Sequence, residues 1–446
     1  WERMTSLARA APALFAIFLG SACSIALTRM PGAAPPAPAR HVLPNGVAIV
    51  VEPYRASGVV ALQLWVRAGG RDEAPAELGL AHYLEHMLFK GTPTRPQGFV
   101  EREVESIGGR INAGTSLDYT FYHVLIPAER AIAAVEMLAD LSVNATLEAS
   151  TLDREKQVVL EEMRLGEDNP RWELFRRLYA LVFDGHPYGR PVIGRPELIR
   201  GLTRDALTGF YRRHYVPEAF TLVVVGPVEP VAILETATRT FGRIPRGGAG
   251  RLPAAHPPAP RLARVDIQRA ATQAHLALGW LAPKIDHADT PAVDLLAAIL
   301  GQARSARLTR SLRDRLGLVT SIGSRYSALE ASGIVAVTAQ LQPANLDAVE
   351  AEIVREVRRI RDEGVGDAER RRAVTVAEAR LAFARETVEG RAHAYGQAET
   401  IWRLEEELAY LDRLRSVTAE QLRAAARRYL DPKRYARVAL VPGKAK

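Results

Sequence analysis

Cysteine is almost missing from this chain: 446 residues contain one, Cys23. From His41 onward there is none. The folded part can build neither a disulfide framework nor a thiolate metal site, so any bound metal must rest on histidine and carboxylate. Aromatic residues make up only 7% of the chain and do not interleave with its basic clusters. Clusters such as Arg370-Arg371-Arg372 share their helices with Glu, so the formal charge of +8 reads as solvated helix faces and not as a nucleic-acid surface. At most it implies a mild preference for acidic peptides. Apolar content of 48% and charged content of 25% are ordinary for a globular protein, and the length exceeds one core, so two or more domains are expected.

The first 40 residues read as a leader. Arg3 and Arg9 precede an apolar stretch, Ala10 to Leu19, followed by Gly20, Ser21 and Ala22, the pattern of a secretory signal. The expected location is therefore periplasmic or secreted. No charge separates Arg9 from Arg29, so an uncleaved membrane anchor is the second reading. Gly20 stands where a lipoprotein signal at Cys23 would carry a larger aliphatic. The Ala- and Pro-rich stretch from Pro31 to Pro38 is a linker.

What the chain does have is His82-Tyr83-Leu84-Glu85-His86. Leu80, Leu84, Met87 and Leu88 recur at helical spacing around it, which predicts a helix of about three turns. On a helix His82, Glu85 and His86 share one face. Two imidazoles one turn apart are a ready pair of zinc ligands, and a carboxylate beside them can take a proton from water. The spacing is that of the inverted zincins.

Such a pair needs a third ligand. Leu152 to Met163 reads as a second helix whose apolar face runs through Leu152, Val159 and Met163. With Leu152 at zero, Glu155 and Glu162 fall about 60–80° to one side, while Glu161 points about 180° away, to water. Carboxylates flanking a buried face need a partner, and a cation is one. Glu162 is the candidate third ligand and Glu155 a second candidate catalytic carboxylate beside Glu85.

With these residues in hand, the chain resembles the pitrilysin family of zinc peptidases, which includes the mitochondrial processing peptidase and insulin-degrading enzyme. The resemblance is closest to its short bacterial members. It rests on His82-x-x-Glu85-His86, then 75 intervening residues, then Glu162, with Glu155 seven residues before it. Gly109-Arg110-Ile111-Asn112-Ala113-Gly114-Thr115-Ser116 is similar to the family's active-site edge strand. His186-Pro187-Tyr188-Gly189-x-Pro191-Val192-Ile193-Gly194 is similar to its loop, and Leu222 to Gly226 to the last strand of its first half. The likeness runs from about His41 to the C-terminus. It implies two similar α/β-roll halves closing like a clam around a polar cavity. One Zn2+ per chain sits in the first half, and the second half grips a peptide substrate.

Taken in order, the chain fits an α+β class with antiparallel-rich sheets and helices on one side. Asn45-Gly46 between apolar runs predicts a hairpin, and Val59 to Val66 a strand. Ile111 to Ser116 and Tyr119 to Ile126 read as paired strands. Helices are expected over Gly98 to Ile107, Ala128 to Asn144, Ser150 to Gly166, Trp172 to Phe183, Thr203 to Tyr211 and Val231 to Phe241. The expected divisions are a leader at 1–40, a zinc-binding domain at 41–242, a Gly- and Pro-rich linker at 243–261, and a second domain at 262–446. That second part repeats the order of elements without the HxxEH. His275, His287 and His393 stand singly there.

The resemblance assigns Asn112, Ala113 and Gly114 to binding an extended peptide by main-chain hydrogen bonds. Gly114 fits either close backbone approach or a bulge. Arg313 matches a family arginine that helps bind substrate. The family's tyrosine seven residues further on is here Thr320, and Tyr326 is the nearest substitute. The expectation is a zinc endopeptidase with Glu85 as general base. It is the zinc-bearing subunit of a heterodimer whose other subunit supplies the Arg/Tyr pair, with a homodimer as the second possibility. A membrane enters only through an uncleaved leader. The competing readings are a non-catalytic peptide-binding or scaffold subunit and a small-molecule zinc lyase.

Overall fold

The computed structural model describes residues 37–248, 251 and 255–443. The expected signal segment with Cys23 and part of the Pro-rich linker lie outside these residues. Among the described residues no helix is long and apolar enough to cross a membrane.

Two sheets form. The first contains β1 (Ala39–Val42), β2 (Ala48–Pro53), β3 (Val59–Val66), β4 (Arg110–Thr115), β5 (Thr120–Pro127) and β6 (Phe220–Gly226), in the order β1-β2-β6-β3-β5-β4. The second contains β7 (Ala263–Arg269), β8 (Ala274–Ala282), β9 (Val319–Ala328), β10 (Gly333–Leu341) and β11 (Ala436–Pro442), in the order β7-β11-β8-β10-β9. Without β1 the two orders are the same. In each, the first strand of the half lies parallel to its last, and the other neighbours are antiparallel. The repeat of element order expected from the sequence is therefore a repeat of topology.

The hairpin at Asn45-Gly46 joins β1 to β2 with Val42 opposite Ala48. Gly46 supplies the positive φ of +103° that this turn requires. The Asn45 amide donates to the carbonyls of Phe241 and Ile244 at 2.8 and 3.0 Å, tying the hairpin to the end of the half.

One expectation changes. Helices do not lie on one side only. β6 is buried along its whole length and β3 along all but its first residue, so both faces of the first sheet need cover. Its own helices cover one face. Helix 388–401, from the second half, covers the other, packing Val388, Ala392, Tyr395 and Ile401 against Val50, Ala61, Trp65, Val223 and Val225. Helix 170–182 returns the exchange. Leu174, Leu178 and Val182 pack on Ala277, Ala336, Val438 and Leu440 of the second sheet. Glycine permits the close approach at both contacts: a Cβ on Gly396 would run into the Trp65 ring, and one on Gly279 would come within 2.9 Å of Leu178. In the second half a π-helical segment spans Thr309–Arg315.

Candidate metal centre

The helix around the HxxEH spans Leu80–Leu88. Leu80, Leu84, Met87 and Leu88 are buried in the core of the first half, which turns His82, Glu85 and His86 to the less buried side of the helix. The second helix spans Ala149–Asp168 and buries Leu152, Val159 and Met163 in the same core. The Tyr83 hydroxyl donates to the Leu152 carbonyl and links the two helices.

Two shared core faces and that bond bring the predicted residues together. Glu162 Oε2 lies 3.6 Å from His82 Nε2 and 3.6 Å from His86 Nε2. The three donor atoms lie within 4.8 Å of one another. Donors held about 2.1 Å from a tetrahedral zinc ion stand roughly 3.4 Å apart, so this set has the spacing and chemistry to hold one. Glu162 is half exposed while the imidazoles are mostly covered, which leaves an approach from solvent. Burial and the neighbouring His86 push His82 down to about 4, so His82 is neutral at ordinary pH, the form a metal would need. Glu161 is exposed and bonded to Arg164, as its direction on the helix requires.

Glu155 lies behind His86. Its Oε1 is 3.0 Å from His86 Nδ1 and its Oε2 is 3.0 Å from Lys90 Nζ. Burial would raise its carboxyl, yet the bonds from His86 and Lys90 hold it below the ordinary range. As a carboxylate it only accepts, so His86 Nδ1 carries the proton and Nε2 presents its lone pair to the cluster. Glu155 is thus placed to orient a ligand, not to meet a reactant as expected.

Glu85 is half-buried and accepts from Thr115 Oγ1 at 2.5 Å. Burial pushes its carboxyl up, and the Thr115 bond and His86 pull it back. Thr115, which sequence reasoning passed over, ends β4, and β4 is the outer strand of its sheet. The phase of that edge follows from one bond. Ser116 N–H donates to Tyr119 O at 2.8 Å, so along the register Asn112 and Gly114 bond to β5, while Ala113 and Thr115 turn their peptide groups to the open edge. The Ala113 N–H is taken by the side chain of Asn112 at 2.8 Å. Gly114 marks no bulge. A Cβ there would come within 2.8 Å of the Phe121 ring, which is stacked on Trp65.

The second-half candidates are placed otherwise. Arg313 pairs with the adjacent Asp314 at 2.9 Å. Thr320 is exposed and donates to the Gln340 carbonyl. The Tyr326 hydroxyl donates to the Pro283 carbonyl at 2.7 Å and meets Thr290 at 3.2 Å, so its phenol is engaged within its own half. A cavity of about 520 Å3 beside the linker is lined by Pro258, Leu281, Arg361, Arg427, Arg428 and Arg434 among others, and by none of the predicted site residues.

Comparison with known proteins identifies the family. The family model described as Insulinase (Peptidase family M16) matches residues 48–195, which carry the HxxEH and Glu162. The model described as Peptidase M16 inactive domain matches residues 201–376. An uncharacterized zinc protease of Mycobacterium bovis is 31% identical over 419 residues, covering 91% of this chain and 93% of that protein. The chain belongs to peptidase family M16. Another relative, an uncharacterized zinc protease of Streptomyces coelicolor, is 30% identical over 87% of this chain and 86% of its own. The crystal structure of a protease from Helicobacter pylori superposes with a TM-score of 0.85 at 24% identity, over 91% of this chain and all of that one, and shares the M16 fold of two similar halves.

Proposed function

We propose that this M16 chain is a zinc-dependent endopeptidase that cleaves extended peptides. His82, His86 and Glu162 would hold the ion. The observation that carries the reading is their convergence beside a Glu85 carboxylate fixed by Thr115. A bound zinc ion would supply a Lewis acid and lower the pKa of a water molecule towards about 7.

The chain's own groups account for the rest. Glu85 takes a proton from the attacking water and hands it to the leaving amine. Glu155 keeps His86 in the tautomer that leaves Nε2 free. A peptide adds as a strand to the edge of β4, its carbonyl displacing the Asn112 side chain from the Ala113 N–H, which reads little sequence. The test is hydrolysis of a quenched fluorescent peptide by wild type and Glu85→Gln, with zinc measured in both. Activity lost with zinc retained is expected. Full activity in Glu85→Gln would contradict the reading.

A second reading adds a partner. Thr320 lacks a phenol, the Tyr326 hydroxyl is engaged by Pro283, and Arg313 pairs with its neighbour, so these residues supply no free Arg/Tyr pair. We infer that it works as the zinc-bearing subunit of a heterodimer, in the periplasm or outside the cell if the leader acts as a signal. Full activity of the purified chain alone would rule out the need for a partner. A chain that binds peptide but never cleaves it, with any partner, would favour the scaffold reading.

A further inference from the structure

Helix 80–88 carries both imidazoles and Glu85, yet its N-terminus has no local cap. The N-cap residue is Gly79, with φ +99° and no side chain. No other residue fits there. A Cβ on Gly79 would come within 2.9 Å of Gly194 Cα and of the Ile193 carbonyl, and the φ itself is strained for any L side chain. The usual Ser, Thr, Asp or Asn cap is therefore barred by packing.

The missing cap comes from upstream. Glu73 is 3% exposed, and its two carboxyl oxygens are divided between two amides of this helix. Gly79 N–H donates to Oε2 at 3.0 Å and Ala81 N–H to Oε1 at 2.8 Å. Ala81 directly precedes His82. An acidic group at a helix N-terminus also complements the macrodipole. The segment carrying Glu73 is held from outside. Arg190 Nη1 donates to the Glu73 carbonyl at 2.9 Å. Asp72, the residue before it, is gripped by Arg251 through bonds of 2.9 and 2.9 Å. Val192 packs on Gly70, and Gly194 on Leu78 and Gly79. The loop from His186 to Gly194 thus closes over both ends of the 70–79 segment.

We propose that Glu73 is a positioning residue for the proposed zinc centre. It fixes the first turn of the helix that aims His82, Glu85 and His86, and the 186–194 loop, through Arg190, keeps it in place. Glu73 acts through the helix backbone and touches no reactant. The inference rests on the zinc reading of the site.

The test measures zinc dissociation by chelator competition on the full chain, together with melting temperature, kcat and KM. Measured above pH 8, where the Glu73 carboxyl is ionised, Glu73→Gln keeps the volume but has one acceptor oxygen where the carboxylate has two, so one amide loses its partner. It is expected to stay folded and to bind zinc about tenfold more weakly, the scale of an outer support of a metal ligand. kcat should fall with KM little changed. Thr203→Ala removes the ordinary cap of helix 204–214, where Thr203 Oγ1 accepts from Ala206 N–H at 3.2 Å, and that helix carries no ligand. It should lower the melting temperature and leave zinc affinity unchanged. Should Glu73→Gln fail to fold, Arg190→Ala decides, with a weaker loss of zinc affinity in the same direction. If whichever variant decides melts lower but binds zinc like wild type, Glu73 is a structural cap only and the proposal falls. A wild type that takes up no zinc would overturn the reading of the site itself, and this inference with it.

Discussion

His86 and Glu155 meet at 3.0 Å through the imidazole nitrogen that faces away from His82 and Glu162. One helix turn separates His82 from His86, but only His86 has a carboxylate behind it. Among the described residues, His82 Nδ1 is buried without a hydrogen-bond partner. The two imidazoles are therefore not equivalent, and Glu155 sets the tautomer of one.

Removing that support has a defined consequence. Glu155→Gln keeps the packing but can no longer act as a purely accepting anion toward His86 and Lys90. Zinc affinity should fall roughly 10- to 100-fold, the range for outer partners of a metal histidine. Isothermal titration with zinc checks this. An unchanged affinity would reduce Glu155 to a buried partner of Lys90.

The open edge of β4 gives a second expectation. The Ala113 N–H faces outward, so Ala113→Pro removes no bond to β5, and proline is tolerated at such edge positions. The fold should survive while peptide binding loses a main-chain donor. KM should rise several-fold at nearly unchanged melting temperature, since one hydrogen bond contributes about 1 kcal/mol. An unchanged KM would place the substrate elsewhere.

The two halves are also tied by charge. Arg251, in the linker, is 8% exposed and bonded to Asp72, Glu330 and the Asp118 carbonyl. Asp118, fully buried, accepts from Tyr188 Oη at 2.6 Å and from Glu330 N–H at 3.0 Å. Arg251→Ala removes one cation from a covered cluster in which Arg71 still pairs with Asp72, Asp118 and Glu330, and leaves acceptors there unfilled, a loss of roughly 1–3 kcal/mol. Urea unfolding at one fixed ionic strength measures it. A change below about 1 kcal/mol, the scale of an exposed pair, would show that the linker does not clamp the halves.

Acidity offers a fourth test. Burial pushes the Glu73 carboxyl up from its ordinary 4.5 to about 8, against the two amides that favour the anion. The folded protein then holds this proton more tightly than the unfolded chain. The contribution is complete below about pH 4.5, declines as pH rises from 4.5 to 8, and is flat above. Urea midpoints of wild type and Glu73→Gln should diverge over that window, with wild type losing ground as pH rises. Parallel curves would contradict it.

Much of the site was legible because it depends on helical periodicity. The 3.6-residue repeat alone separates Glu155 and Glu162 from Glu161 and puts the histidines on one face, and the core then aligns the two helices. The order of strands was legible for the same reason, apolar runs bounded by turn residues. Contacts between distant segments were not. Glu73 gives no local signal, because what it caps lies six to eight residues away through a turn. Helix 388–401 escaped notice because its buried positions, Val388, Ala392, Tyr395, Gly396, Ala398, Thr400 and Ile401, mix small, polar and large residues around the helix, so no apolar stripe marks it. β7 alternates half-buried and exposed residues just past the linker and gives too weak an apolar signal to read as a strand. The exchange of helices had one overlooked sign: Phe220 to Val225 is apolar at every position but Thr221, the pattern of a strand covered on both faces.

The central claim is that side chains from helices 80–88 and 149–168 share one ion. The most direct measurement is an anomalous difference map at the zinc edge from crystals of the full chain grown with zinc. The account predicts one strong peak about 2.0–2.2 Å from His82 Nε2, His86 Nε2 and a Glu162 oxygen. A map with no peak there, or with a peak that leaves Glu162 unbound, would contradict it.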